Sequence, residues 1–215
     1  YLQRVSTELA KLAARGVTVL VASGDNGAGG NCTGPNQERT SPDFPASSPW
    51  ATAVGGVIGG DAARRPVNDT GETVDFISGG GASWTFPAPK YQADVVAQYF
   101  ANTPKLPKKG TFNPKGRGYP DVAAQSESFV IVEYGIPLMG VGGTSCATPS
   151  VGGLVSLLNE RRNRAGKAPL GFLNPLIYST AASKPRTFND ITTGANAGCD
   201  LFGFPAAVGW DASSG

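Results

Sequence analysis

The chain has 215 residues, 40% of them apolar, with both charge signs present and a formal net charge of +2. That is enough apolar chain to bury one substantial core, and it excludes a disordered segment. So small a net charge gives no footing for nucleic acid, and the basic stretch Lys105 to Lys109, interrupted by Pro107, reads as a solvated loop.

Leu2, Val5, Leu9 and Leu12 recur at helical spacing with Arg4, Lys11 and Arg15 between them. The chain therefore opens in a helix already under way, as a cut inside a longer protein would leave it. Gly16 is a natural stop for that helix, and Val17 to Ala22 is a β-branched run that reads as a buried strand. The apolar stretch Gly16 to Ser23 is far too short to span a bilayer, and nothing before it has the basic-then-apolar layout of a signal peptide. Neither a membrane nor a nucleic acid is expected as a partner.

Ser23-Gly24-Asp25-Asn26-Gly27 follows the first strand, and there Asp25 could do no more than close an Asx turn. Further buried strands are expected at Ala51 to Ile58 and Phe129 to Tyr134, and helices at Tyr91 to Phe100 and Cys146 to Arg162. The alternation predicts an α/β fold with a largely parallel sheet and flanking helices. Gly27 to Pro49 and Gly79 to Pro89 are loops rich in Gly and Pro, of the kind that carries sites on a rigid scaffold. With no internal repeat, residues 1–215 are read as one domain or a piece of one.

Cys32, Cys146 and Cys199 do not cluster as metal ligands, and the chain has no histidine, so a zinc site is not expected. One disulfide and one free thiol is the economical reading. Asn31-Cys32-Thr33 and Asn68-Asp69-Thr70 fit the N-glycosylation pattern and point weakly to a secretory route.

Gly142-Gly143-Thr144-Ser145-Cys146-Ala147-Thr148-Pro149 follows a strand and opens a helix continuing through Val151, Leu154, Val155 and Leu158. Ser145 sits near the helix N-terminus, where small neighbours let a substrate backbone approach and free N–H groups favour developing negative charge. A serine here can be a nucleophile or simply a helix cap. The full string, Gly-Thr-Ser-x-Ala-Thr-Pro, resembles the nucleophile motif shared by the subtilisin and sedolisin families. In subtilisins the general base is histidine, which this chain lacks.

Asp25 stands where a subtilisin would present an asparagine to the oxyanion. An ionised carboxylate only accepts hydrogen bonds and repels an oxyanion, whereas a protonated one donates. Asp25 can therefore help only when it is neutral, which means acidic working conditions or a strongly raised pKa, and an acidic setting also suits a glutamate as base.

The likeness extends through Tyr1-Leu2-Gln3-Arg4-Val5, Ala46-Ser47-Ser48-Pro49, Gly116 to Val122 and Leu170 to Pro175. Nearly the whole chain resembles the sedolisin family of serine-carboxyl peptidases. The resemblance implies a subtilisin-like fold and a Ser-Glu-Asp triad, with Ser145 as nucleophile and Asp25 in the oxyanion hole. The family's triad Glu and Asp lie on a helix well upstream of the aspartate motif, while only Tyr1 to Gly24 precede Asp25 here. They are expected on a missing N-terminal half of the catalytic domain, which is thereby a partner. Glu8 falls in a segment matching a different family helix and is not assigned that role. Asp121, in Tyr119-Pro120-Asp121-Val122, is read as scaffold.

Asn189-Asp190-Ile191-Thr192-Thr193-Gly194 and Ala207-Val208-Gly209-Trp210-Asp211 gather two carboxylates and several turn carbonyls, a mix of hard oxygens that calcium takes, though a polar loop with scattered aspartates would look similar. The resemblance implies a calcium site using the side chains of Asp190 and Asp211 and the backbone oxygens of Ile191, Ala207 and Gly209. It also implies a Cys32–Cys199 bridge, leaving Cys146 free. The activity it implies is release of tripeptides from polypeptide N-termini at acidic pH, in a lysosome or other acidic compartment, or after secretion. An inactive fragment that binds the other half, and a sedolisin- or subtilisin-like endopeptidase, remain open beside it.

Overall fold

The computed structural model describes residues 1–29, 39–59, 71–184, 186–198 and 201–215. The opening helix α1 (Leu2–Ala14) ends as expected at Gly16, whose φ of +77° lets its N–H reach Ala13 O while the Val17 N–H reaches Leu12 O, each at 3.0 Å. This paired closure satisfies carbonyls that the helix leaves open, and it suits a residue without a side chain.

β1 (Leu20–Ala22) lies parallel to β2 (Thr52–Gly59), with Leu20 opposite Thr52 and Ala22 opposite Val54. β6 (Val122–Gln125) pairs with β2 in parallel from Val54 to Val57, and β3 (Glu72–Val74) joins the far end of β2 antiparallel. β2 is the buried axis of this sheet. Its Gly55 and Gly56 leave room for neighbours to close down on the strand: a Cβ would stand 2.7 Å from Pro120 Cγ at one position and 2.7 Å from Ser126 Oγ at the other. α3 (Thr144–Arg164) packs across β1, β2 and β6. A parallel strand core under a long helix is the expected α/β, subtilisin-like arrangement.

The parallel character is confined to β1, β2 and β6. The other described strands form antiparallel pairs: β4 (Gly81–Pro87) with β5 (Gly116–Tyr119), β7 (Phe129–Glu133) with β8 (Ile136–Val141), and β9 (Ala195–Gly198) with β10 (Leu201–Pro205). The run at Phe129 to Tyr134 is thus a strand, but not a buried one. Tyr134 and Gly135, at φ +51° and +80°, form a two-residue turn that folds it back on β8, and Val132 is 71% exposed. An apolar run of this length carries no mark of which surface covers it.

Beneath β5 the core is polar. The Arg117 guanidinium, wholly buried, donates to the carbonyls of Ser48, Ala51 and Gly118 and to Asp121 Oδ2 at 2.5 Å. Asp121 also accepts from the Ala53 N–H at 2.8 Å and from the Tyr178 hydroxyl of α4 (Asn174–Ser183) at 2.9 Å. The scaffold reading of Asp121 matches this placement, since every one of these partners is structural. An aromatic cluster of Tyr99 and Phe100 from α2 (Ala93–Asn102) with Phe112, Phe204 and Trp210 ties the last loop to the rest, and Trp210 Nε1 donates to Pro120 O at 3.0 Å.

Candidate active site

β1 delivers its next three residues to the foot of α3. Ser23 is buried and its N–H donates to Val54 O at 2.9 Å, which extends the parallel ladder by one residue. Gly24 turns the chain at φ +105° and its N–H donates to Thr144 Oγ1 at 3.2 Å. Asp25 Oδ1 then accepts both the Thr144 N–H, at 2.7 Å, and the Thr144 hydroxyl, at 2.8 Å. α3 has no cap from its own side chains at this end, so a carboxylate from another element supplies it.

Ser145 is the second residue of α3, next to the residue that Asp25 grips, and both Ser145 and Asp25 are exposed. Gly143, at φ +113°, could not carry a side chain: a Cβ there would stand 2.8 Å from Asp25 Oδ2. The structure therefore brings together the two residues singled out in the sequence. Oδ1 of Asp25 takes both of these donors, and among the described residues no hydrogen bond reaches Oδ2. Among the described residues no hydrogen bond reaches the Ser145 hydroxyl. Cys146 is a free thiol, half-buried.

Thr144 was not anticipated. Its hydroxyl accepts from one strand-end residue and donates to the next, and the only trace of this in the sequence is a hydroxyl residue directly before the nucleophile candidate. Asp43 was also missed. Its Oδ2 is buried without a hydrogen-bond partner among the described residues, in a segment where an aspartate beside proline reads as an ordinary loop.

The second group of residues lies at the opposite end of the chain. Asp190 accepts the Gly209 N–H at 3.1 Å on each oxygen, which closes the two stretches Asp190–Ile191 and Ala207–Asp211 on each other. Asp211 is wholly buried; its Oδ1 accepts from Ser213 N–H, Ser213 Oγ and Ser214 N–H, and its Oδ2 from Ser214 Oγ and from Ala207 N–H at 3.2 Å. Burial pushes this carboxyl up to about 6, against the pull of those hydrogen bonds. Gly209 takes the positive φ of the loop, +81°, and Ala207 does not, so alanine is accommodated at its position. Among the described residues no three Asp, Glu, Cys or His side chains converge as a metal cage, so a cation here would rest on two carboxylates and on carbonyls. In chemical type these hard oxygen donors, with a buried carboxylate that has no cationic side-chain partner among the described residues, fit calcium, although internal donors already occupy both Asp211 oxygens. A cavity of about 690 Å³ opens beside this loop, lined by Ala123, Tyr178, Asp190, Gly209, Trp210 and Gly215. Cys32 and Cys199, and both glycosylation sequons, lie outside the described residues.

No protein-family model matches the chain. Tripeptidyl-peptidase 1 of Macaca fascicularis is 47% identical over an alignment covering all of this chain and 38% of that protein, and the Homo sapiens protein of the same name is 45% identical over the same shares. A solved structure of Pseudomonas sedolisin, a serine-carboxyl proteinase complexed with two molecules of pseudo-iodotyrostatin, superposes with a TM-score of 0.76 at 31% identity, over the whole chain and 56% of that structure. Along its whole length the chain is similar to sedolisin-type peptidases. The structure titled Sphericase, at 19% identity and a TM-score of 0.57, shares the fold alone. The sedolisin likeness runs through both the Asp25–Thr144–Ser145 junction and the Asp190–Asp211 loop, although the chain spans only about two fifths of the length of the tripeptidyl-peptidases it matches. No described helix is long and apolar enough to cross a membrane.

Proposed function

We propose that this chain supplies the nucleophile and the oxyanion aspartate of an acid-acting serine-carboxyl peptidase. The observation that carries the reading is the junction in which Asp25 grips Thr144 beside Ser145. In the acylation step a bond forms between Ser145 Oγ and the scissile carbonyl carbon, and the C–N bond breaks. The serine proton passes through the base to the departing amine; water then cleaves the ester. A neutral Asp25 donates from Oδ2 to the oxyanion during both steps.

The base belongs to sequence outside these 215 residues, as the Glu and Asp of the missing N-terminal half. α3 supports this: Leu154 and Leu157, on the nucleophile's own helix, are 57% and 65% exposed, an apolar surface suited to contact with more of the same domain. The substrates are polypeptides, and the names of the similar proteins make release of tripeptides the specific expectation; the family resemblance adds the N-terminus and a lysosome or another acidic compartment. The test uses the full-length protein at a pH of about 4, near a carboxyl pKa, with an acyl-directed serine probe and a defined peptide. Labelling at Ser145 and products shortened by three residues are expected. Products from internal cleavage would instead establish an endopeptidase.

The absence of a hydrogen bond to the Ser145 hydroxyl among the described residues favours a second reading for the chain by itself, an inactive piece that binds the other half. The isolated 215-residue chain is expected to leave the probe unreacted, and labelling of it would remove this reading.

Calcium is proposed for the Asp190–Asp211 loop, held by those two carboxylates and the carbonyls of Ile191, Ala207 and Gly209, where it would offset the charge buried at Asp211. Chelation is expected to lower the melting temperature, because a ligand present at a hundredfold excess over its Kd contributes about 2.7 kcal/mol. Calorimetry with and without chelator checks this, and Asp190→Ala should abolish the difference.

A further inference from the structure

Asp25 is exposed at the end of a strand, and an exposed side chain turns among its rotamers unless a partner holds it. Among the described residues its carboxyl has hydrogen bonds to one residue alone, Thr144, whose N–H and hydroxyl reach Oδ1 at 2.7 and 2.8 Å. Thr144 is wholly buried, so its hydroxyl is partnered from within the protein. That hydroxyl has a single proton to give, and the Gly24 N–H, at 3.2 Å, meets the acceptor side of the same oxygen. The proton is therefore directed at Asp25.

One donor would let the carboxyl swing about its hydrogen bond; two converging on the same oxygen fix its rotation. With Oδ1 turned toward the start of α3, Oδ2 lies on the side of Gly143, where a Cβ would stand 2.8 Å from it. The turn that carries Thr144 is itself anchored: the Gly143 N–H donates to Ser126 O at 2.7 Å, and the buried Ser126 hydroxyl donates to Asp75 Oδ2 at 2.5 Å. Any residue except proline at position 144 would offer the N–H. The hydroxyl is what the threonine side chain adds.

We propose that Thr144 is a positioning residue whose hydroxyl sets the orientation of the Asp25 carboxyl, and with it the direction in which the oxyanion donor points. The inference rests on the peptidase reading given above. A group that stabilises a developing charge must stand within about 0.5 Å of its productive place. A carboxyl held by the N–H alone would spend part of its time turned away. Thr144 does not touch the reacting atoms; it acts through Asp25.

The test is steady-state kinetics of the full-length protein at a pH of about 4, expressed per folded molecule. It compares wild type with Thr144→Val, Thr144→Ala and Thr144→Ser, and repeats the first two in an Asp25→Ala background. Valine keeps the branched shape of threonine and alanine favours the helix, so two unlike replacements report on the same lost hydroxyl. Each is expected to lower kcat about 10- to 100-fold, less than removal of an oxyanion donor at its upper range, with KM within about twofold of wild type. Thr144→Ser should return kcat to within about threefold of wild type. In the Asp25→Ala background, where no carboxyl is left to orient, neither hydroxyl-free variant should lower kcat further. Unchanged kcat in the hydroxyl-free variants, or a loss that serine does not restore, would overturn the proposal. So would an undiminished further loss in the Asp25→Ala background, by showing that the hydroxyl acts independently of Asp25. If wild type itself shows no acid activity dependent on Ser145, it is the peptidase reading that fails, and the two failures are told apart by that control.

Discussion

Ser145→Ala in the full-length protein is expected to reduce kcat by about a million-fold, the scale on which removal of a serine nucleophile acts in comparable peptidases, with the fold intact. The side chain is exposed and no hydrogen bond to its hydroxyl occurs among the described residues, so its loss should change stability by no more than about 0.5 kcal/mol. Unchanged circular dichroism and melting beside lost turnover is the expected pattern. Asp25→Ala should cost less, about 10²–10³-fold, the range for one oxyanion donor, and should also loosen the start of α3, because Thr144 would lose the acceptor for its N–H and hydroxyl. Asp25→Asn separates these effects. An amide oxygen can still accept from Thr144 while the NH₂ donates at any pH, so this variant should keep part of the activity and lose the fall on the alkaline side. Substantial turnover by Ser145→Ala would sink the acyl-enzyme reading altogether.

Asp121→Ala carries the largest expected effect on stability. Arg117 and Asp121 are both wholly buried, and the carboxylate also takes hydrogen bonds from the Ala53 N–H of β2 and the Tyr178 hydroxyl of α4. Removing it leaves a guanidinium with no counter-charge in the core, a change that costs about 3–5 kcal/mol. For a domain of this size that corresponds to a fall of roughly 6–20 °C in melting temperature. Asp121→Asn should recover only part of the loss, because it restores hydrogen bonding but not charge. Thermal melts of the two variants check the expectation. Activity per folded molecule should change little, which distinguishes Asp121 from Ser145 and Asp25.

What the sequence revealed follows from how local each signal is. Ser145 stood out because the glycines, the threonine and the small-residue helix around it are contiguous, and Asp25 because it directly ends a β-branched strand. The central strand β2, the helices α2 and α3, and the stop at Gly16 were legible for the same reason. The run that forms β7 was misjudged as buried because composition records apolarity and not what lies opposite it; Tyr134-Gly135 was the local clue to the reversal. Thr144 meets Gly24 and Asp25 from a distant point of the chain, so its place directly before Ser145 does not disclose those contacts. The loop containing Asp190 and Asp211 was visible as oxygen-rich sequence, but the way the Gly209 N–H closes it on Asp190 depends on the fold.

The bond from Thr144 to Asp25 joins positions 119 apart, and the strand that presents Asp25 is held by a partner about thirty residues further on. No local segment can rehearse this geometry before the chain collapses, so its entropic cost falls late in folding, as it does for all contacts of high sequence separation. A nascent or partly unfolded molecule therefore has a serine on a helix but no oxyanion partner beside it. On the proposed peptidase reading, activity would be a report on completed folding, because the pairing of Asp25 with Thr144 beside Ser145 exists only once the topology has closed.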